Sequence, residues 1–341
     1  MATGSITPVT LRMIAAELNL SISTVSRVLG ASDAEKAQRW ASATTVDRVR
    51  SLAAERGYKP NPLAASLRTA RSGSIGVLVP RLQDFVLATI YEGIEEAAIE
   101  MGLSTFVTNS HDRPETQAAK TEMMLERRVD GLIYGDAHLD HLFLDTVAAR
   151  DIPLVLVSRR SGDHVSITCD DVRGGRLAGE HLLAQGRSRL AVLAGLPFAS
   201  TATDRSQGAL EVFTEAGLDV PTERVLFTGF DAAAGRRGAE ALLDRGDLPD
   251  AIFATNDFAA IGAMGALRDR GIRVPDDIAV VGFNDVPLAA EIHIPLTTIR
   301  SPMHEIGRHA MAAMSDLLGT GTAISERLTP ELVERESSRA S

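Results

Sequence analysis

Apolar positions recur along this chain in two different rhythms. Near the start, Leu11, Ile14, Ala15 and Leu18 follow helical spacing behind a capping Thr10, and Val25, Val28 and Leu29 repeat it behind Ser21. Asn19, between the two runs, tolerates the left-handed backbone that a tight interhelical turn needs. The second run leaves Ile22, Ser23, Ser26 and Arg27 on its outer face, so the spacing predicts a helix-turn-helix whose second helix enters a DNA major groove. A third helix is predicted from about Ser42 to Glu55, with Val46, Val49, Leu52 and Ala53 as its apolar stripe, stopped by Gly57, Pro60 and Pro62. From Ser74 the rhythm changes. Short apolar runs, "IGVLVP", "LSTFVT", "DGLIYG", "PLVLVS", "LAVLAG", "VLFTGF", "DAIFAT" and "IAVVGF", alternate with amphipathic stretches. That alternation predicts an α/β body of parallel sheets with helices on both faces, and eight strands suit two lobes better than one sheet.

Charge divides the chain at the same place. Residues 1–71 hold 10 Lys+Arg against 5 Asp+Glu, and the rest of the chain holds 25 against 40, within a net charge of −10. A small basic module therefore precedes a large acidic body. The serines and the arginine on the outer face of the second helix donate hydrogen bonds to phosphates and base edges, the chemistry that the basic module needs to meet nucleic acid. No apolar run approaches the roughly 20 residues that span a bilayer, "MATGSITPVT" has no secretory pattern, and a lone Cys169 excludes an internal disulfide and a cysteine-rich metal site. These features imply a cytoplasmic protein without a membrane partner. With 4% aromatics the chain offers no broad stacking platform for single strands.

Three stretches in order, "TLRMIAAELNLSISTVSRVL", "RGYKPNPLAASLRT" and "GSIGVLVP", resemble the lactose repressor and galactose repressor family of bacterial transcription regulators, and the resemblance covers nearly the whole chain. It implies a small all-α helix-turn-helix domain over 1–60 and a hinge helix and linker over 61–72. A two-lobed, periplasmic-binding-protein-like (type I) body over 73–341 would bind an effector and dimerise. Its N-lobe would take about 73–166 plus 301–318 and its C-lobe about 167–297 plus 319–341. The DNA-binding residues carried over are Thr10, Ser21, Ile22, Ser23, Thr24, Ser26, Arg27, Asn61 and Leu67, with Leu67 as an apolar wedge in the minor groove. The implied partners are a near-palindromic double-stranded operator, a second copy of the chain and a small-molecule effector, most naturally a carbohydrate. No cofactor, metal or enzymatic activity is implied. The chain departs from the pattern in "GASDAEKAQRWASATTVD", some eight residues longer than is usual before Arg48. Trp40 lies in that insertion, which either adds DNA-backbone contacts through Lys36 and Arg39 or, the favoured reading, packs Trp40 against the module.

In the body, strand ends carry Asp84 and Phe85, Asp136, Thr201, Arg205, Phe230, Asn256 and Asn284. Ligands of such sheets sit at the carboxyl ends of the strands, which makes the cleft between lobes the expected pocket. Carboxylates, amides and an arginine around an aromatic face suit a polyhydroxylated ligand. Asp257 reads as a helix cap. Val86 and Leu87 stand where the family usually has aromatic rings, and Asn284 where it usually has Asp, with Phe85 and Asp285 as possible substitutes. Other readings are a solute-binding protein, or a sugar-modifying hydrolase using Asp170 and Asp171, without a gene-regulatory role. "GGRLAG" at 174–179 reads as helix packing rather than a phosphate loop.

Overall fold

Side-chain caps set where the helices of the N-terminal region begin. Thr10, Ser21, Asp33 and Ser42 each accept a backbone N–H three residues on, starting α1 (Leu11–Leu18), α2 (Ile22–Leu29), α3 (Ala34–Gln38) and α4 (Ala43–Glu55). Asn19 closes α1 in the left-handed conformation at φ 51°. The computed structural model describes residues 9–31, 33–58, 71–139 and 142–339. The chain divides into two compact units, Met1–Ser72 and Gly73–Ser341. In the first, Ile14, Ala15, Val25, Val28, Val46, Val49 and Ala53 form one core, joined by Ala37 from the insertion. Leu52, expected in that core, is only partly buried against it. α3 has no counterpart in the sequence reading, because a five-residue helix shows too little periodicity to register.

The second unit contains two six-stranded sheets. The first uses β1 (Ser74–Val79), β2 (Ser104–Asn109), β3 (Gly131–Tyr134), β4 (Leu154–Val157), β5 (Ser166–Cys169) and β11 (Glu326–Leu328), in the order β11-β5-β4-β3-β1-β2. The second uses β6 (Leu190–Ala194), β7 (Val225–Phe227), β8 (Ala251–Ala254), β9 (Ala279–Asn284), β10 (Thr297–Arg300) and β12 (Glu331–Val333), in the order β12-β10-β9-β8-β6-β7. The first sheet is parallel throughout, and in the second only the β10–β12 pair is antiparallel. Within each sheet the first five strands follow the same doubly wound order, 2-1-3-4-5, so each has a switch point beside its first strand. Apart from β2 and β7, which are sheet edges and only partly buried, the continuous apolar runs read as strands are buried on both faces.

Four strands escaped the sequence reading, and two of them move the expected lobe boundary. β5 pairs with β4, so the first lobe runs to Cys169 rather than 166; "SITC" alternates polar and apolar residues and lacks the run that marked the others. The terminal segment 319–341 is split, with β11 in the first sheet and β12 in the second, instead of lying wholly in the C-lobe. Both are short and rich in charge, which hides them from a hydrophobicity pattern. The chain consequently crosses between lobes three times, after β5, β10 and β11.

Helices α5 (Phe85–Glu100), α6 (Pro114–Glu126), α7 (Phe143–Ala148), α8 (Asp171–Ala184), α9 (Ser200–Glu215), α10 (Ala232–Leu243), α11 (Asp257–Asp269), α12 (Leu288–Glu291) and α13 (Met303–Thr320) cover the sheets. Three pairs pack backbone to backbone through reciprocal glycines. A Cβ on Gly93 of α5 would lie 2.1 Å from the His304 carbonyl oxygen, and one on Gly307 of α13 would lie 2.0 Å from that of Ile90. Gly175 with Gly208 does the same for α8 and α9, and Gly235 with Gly262 for α10 and α11. "GGRLAG" is therefore helix-packing sequence inside α8. Gly93→Ala should push α13 off its seat and cost about 1–3 kcal/mol, read as a lowered urea midpoint. Gly319→Ala, on the same α13 with nothing within 4 Å of the added carbon, should be neutral or slightly stabilising; equal losses in both would discount the close contact.

Candidate functional site

In the N-terminal unit, α2 presents the predicted outer face. Ile22 is 45% exposed, Ser23 and Arg27 are exposed, and Thr24 and Ser26 are half-buried. Val25 and Val28 on the opposite side are fully buried, which fixes the rotation of the helix about its axis. Two candidates are occupied with folding: Thr10 caps α1, and the Ser21 hydroxyl accepts the Thr24 N–H at 3.0 Å and shares hydrogen bonds of 2.8 Å with the Ser23 and Thr24 hydroxyls. Trp40 is 51% exposed rather than buried, and the Arg27 guanidinium lies 4.3 Å from its ring centroid. Asn61, Leu67 and the expected hinge helix lie outside the described residues.

In the second unit, a cleft of about 720 Å³ opens at the carboxyl ends of both sheets. It is lined by Asp84, Thr201, Arg205, Phe230, Asn256 and Asn284 from the candidate set, together with Val86 and Leu87. Arg205, on α9, is 4% exposed. Its Nε donates to Asp171 Oδ1 at 2.7 Å and its Nη1 to the Thr255 carbonyl at 2.8 Å, and its plane lies 3.7 Å from the Phe283 ring centroid. Asn256 caps α11 by accepting the Ala259 N–H at 2.8 Å and donates to the Phe230 carbonyl at 2.6 Å, which ties β8 to the loop after β7. The cap thus falls on Asn256. Asp257, read as a cap, is instead a fully buried carboxylate accepting the Val286 N–H and the Thr298 hydroxyl. Asp84 caps α5 through the Val86 N–H, and burial pushes its carboxyl above the usual range.

Two candidates lie off the cleft wall. Phe85 points outward, 36% exposed, and Asp136 is buried at the end of β3 without lining the cavity. Phe85 therefore replaces no aromatic ring there; the helix cap at Asp84 turns Val86 and Leu87 toward the cavity instead. Asp285 is also committed elsewhere, to Arg335 at 2.7 Å and Arg300 at 2.8 Å. The other carboxylates of interest are structural as well: Asp170 caps α8 and Asp171 holds Arg205, so neither is placed for hydrolysis. Cys169 is buried, and burial with the nearby Asp171 charge pushes its thiol up to about 12. His304 pairs with Glu96 and His309 with Glu326, and no group of three metal-ligating side chains occurs among the described residues.

The sequence reading missed the first lobe's main contribution. Arg159, after β4, is buried and makes a two-pronged pair with Asp112 at 2.6 and 3.3 Å. Its guanidinium also lies 5.8 Å from the Phe198 ring centroid and 5.6 Å from that of Phe230, both in the other lobe. His138 stacks on Phe198 at 3.9 Å. The signal was present in "VSRR" and "NSHD", which end strands as the chosen residues do. Arg159 and Arg205 are each matched by a carboxylate, and the cleft wall adds aromatic faces, hydroxyls and amides. Two buried atoms among its lining residues, Asn284 Oδ1 and Thr228 Oγ1, have no hydrogen-bond partner among the described residues. Asn284 also has φ +112°, a strained value for a residue with a side chain.

Residues 180–338 match the family of periplasmic binding protein-like domains. Over its length the chain is 32% identical to the HTH-type transcriptional regulator DegA of Bacillus subtilis, with 95% of this chain and 96% of DegA covered. It is 29% identical to the HTH-type transcriptional repressor PurR of Haemophilus influenzae, over 96% and 98% of the two chains. Among solved structures it is similar to the lac repressor dimer bound to operator and the anti-inducer ONPF, with a TM-score of 0.85 and 28% identity over 98% of this chain and 100% of that one. It is also similar to the CelR–cellobiose complex, with a TM-score of 0.73 and 27% identity over 96% and 99%. Among the described residues no helix is long and apolar enough to cross a membrane.

Removing one partner of the buried Arg205–Asp171 pair strands the other charge. Arg205→Ala should therefore lose about 3–5 kcal/mol of stability, measured by urea unfolding, and a loss under 1 kcal/mol would mean that the pair is not dry. Asp136 supplies a pH test. Neither of its carboxylate oxygens has a well-formed hydrogen bond among the described residues, and burial, outweighing the nearby Ser110 and Gln117 side chains, pushes the carboxyl from 3.8 up to about 6. An acid with a raised folded-state pKa holds its proton longer in the native state, so it costs nothing below the unfolded value and destabilises increasingly until the folded value is passed. Asp136→Asn should thus gain on the wild type between about pH 4 and 6, reaching about 1–3 kcal/mol above pH 7. A pH-independent difference would exclude the carboxyl as its cause.

Proposed function

The chain belongs to the LacI family of transcription regulators, and from that premise we propose that it represses transcription from a near-palindromic operator, in the cytoplasm, as a homodimer released or recruited by a sugar bound between its lobes. Two copies related by a two-fold axis present two α2 helices to two half-sites of the same symmetry. Ile22 offers an apolar contact to a thymine methyl, and Ser23, Ser26 and Arg27 offer donors to bases and phosphates. Asn61 and Leu67 would add contacts from the hinge, with Leu67 wedged into the minor groove.

One observation carries the ligand reading: a cleft between lobes is walled by Phe198, Phe230 and Phe258 and lined by Asn284 and Thr228, whose buried side-chain oxygens have no hydrogen-bond partner among the described residues. A sugar satisfies such a wall, since each hydroxyl donates and accepts while the C–H face of the ring lies on an aromatic plane. The cellobiose held by the similar CelR supports the same class. Arg205 and Asn256 add a guanidinium edge and an amide, and Thr201, Asp84 and Phe230 complete the surface; Asp136 and Phe85 lie off it. A ligand that binds one lobe arrangement better shifts the population toward it. By linkage, operator and effector must change each other's affinity by the same factor, commonly ~5- to 150-fold.

Thermal melting of the full chain against sugars, sugar phosphates and nucleobases tests the reading. A member present at 100 times its Kd should stabilise by ~2.7 kcal/mol, and Asn284→Ala should abolish the shift. A nucleobase as the sole stabiliser, or no shift with any sugar, would reject the carbohydrate class.

A further inference from the structure

The N-terminal unit contains an aromatic ring that its core does not use. Trp40, the chain's only tryptophan, follows α3 and remains half exposed. The backbone that carries it is nevertheless tied down on both sides. Asp33 caps α3, Ala37 is fully buried in the core with Val25 and Val28, and the Trp40 N–H donates to the Ala37 carbonyl at 3.0 Å. Upstream, Arg50 on α4 donates to the Ala31 carbonyl at 3.3 Å. The ring is therefore held beside α2, where Arg27 lies over its face at 4.3 Å.

That contact leaves Arg27 able to act. A guanidinium is planar and all five of its N–H bonds lie in the plane, so one that lies flat on a ring keeps all of them free. A free arginine on a helix surface gives up much rotamer freedom when it docks. One already laid against a fixed ring has given up part of it, and its plane is set before DNA arrives. A fixed plane suits paired acceptors on a base edge better than the looser geometry of a phosphate. We propose that Trp40 is a positioning residue for base recognition: it orients Arg27 so that the in-plane N–H edge meets one base of each half-site. The inference rests on α2 being the major-groove helix. It makes the segment 31–41 a specificity element rather than a longer turn.

The test uses the full chain as wild type, Arg27→Ala, Trp40→Leu, Trp40→Gln and Trp40→Phe, each checked for cooperative melting. Each selects from a pool of randomised 24-base-pair duplexes, with bound DNA sequenced and affinity for the enriched duplex measured by anisotropy. Arg27→Ala should lose base preference at one position in each half-site. Trp40→Leu and Trp40→Gln should lose it at that same position and bind about two- to fivefold more weakly per half-site, while Trp40→Phe, keeping a ring face, recovers most of both. In the DNA-free wild type, tryptophan emission reports only Trp40, so Arg27→Ala should change it. A folded Trp40→Leu or Trp40→Gln chain with wild-type base preferences overturns the inference, as does emission unmoved by Arg27→Ala. A wild-type chain that enriches no motif overturns the DNA-binding reading itself, and this inference with it.

Discussion

A guanidinium taken out of water must find its hydrogen bonds and its counter-charge within the protein, and the second unit is arranged to provide them for Arg205. Asp171 supplies the charge, the Thr255 carbonyl an acceptor and Phe283 a face for the cation. These partners come from α8, the end of β8 and β9, so satisfying one side chain fixes three elements against α9. The arrangement needs α8 and α9 in backbone contact, which Gly175 and Gly208 allow. The buried pair is better evidence for specified geometry than for net stability, since burial of two charges offsets most of their attraction. What it yields is an arginine fixed in the cleft wall.

The first lobe answers with a different device. Arg159 also has a carboxylate partner, yet its guanidinium reaches rings of the opposite lobe. Around it, the Leu139 N–H donates to the Phe198 carbonyl, and Arg160 pairs with Asp204 across the same boundary. Any rotation of the lobes must exchange these contacts. A ligand bound between Phe198 and Phe230 would compete for the same ring faces that Arg159 occupies, which ties occupancy of the cleft to the lobe contact. Three chain crossings join the two lobes.

Much of this was legible in the residues because it depends on local rules. The caps at Thr10, Ser21 and Ser42, the left-handed Asn19 and the outward face of α2 follow from side-chain chemistry within four residues. Six of the eight strands that showed as apolar runs did so because interior parallel strands are buried on both faces; β2 and β7, at the sheet edges, are only partly buried. Six of the eight candidate cleft residues line the cavity because ligand sites in such sheets lie at strand ends, a position that order along the chain reveals. The misses share a cause: a strand end places a side chain near the cleft, and its rotation about the local backbone decides whether it faces in. The cap at Asp84 turned Phe85 away, and Asp136 sits beneath the wall.

By itself, then, the sequence determined the division into a basic helical module and an acidic α/β body, the register of α1, α2 and α4, the parallel-sheet class and the region of the cleft, since periodicity, capping and charge act over a few residues. Only the tertiary structure decided which strands neighbour one another, that β5 and β11 belong to the first sheet, that Arg159 crosses to Phe198 and Phe230, and that Trp40 lies under Arg27. Each of those joins residues distant in sequence, or placed by an insertion with no periodicity of its own. Their meeting depends on how whole elements pack, which no local pattern encodes.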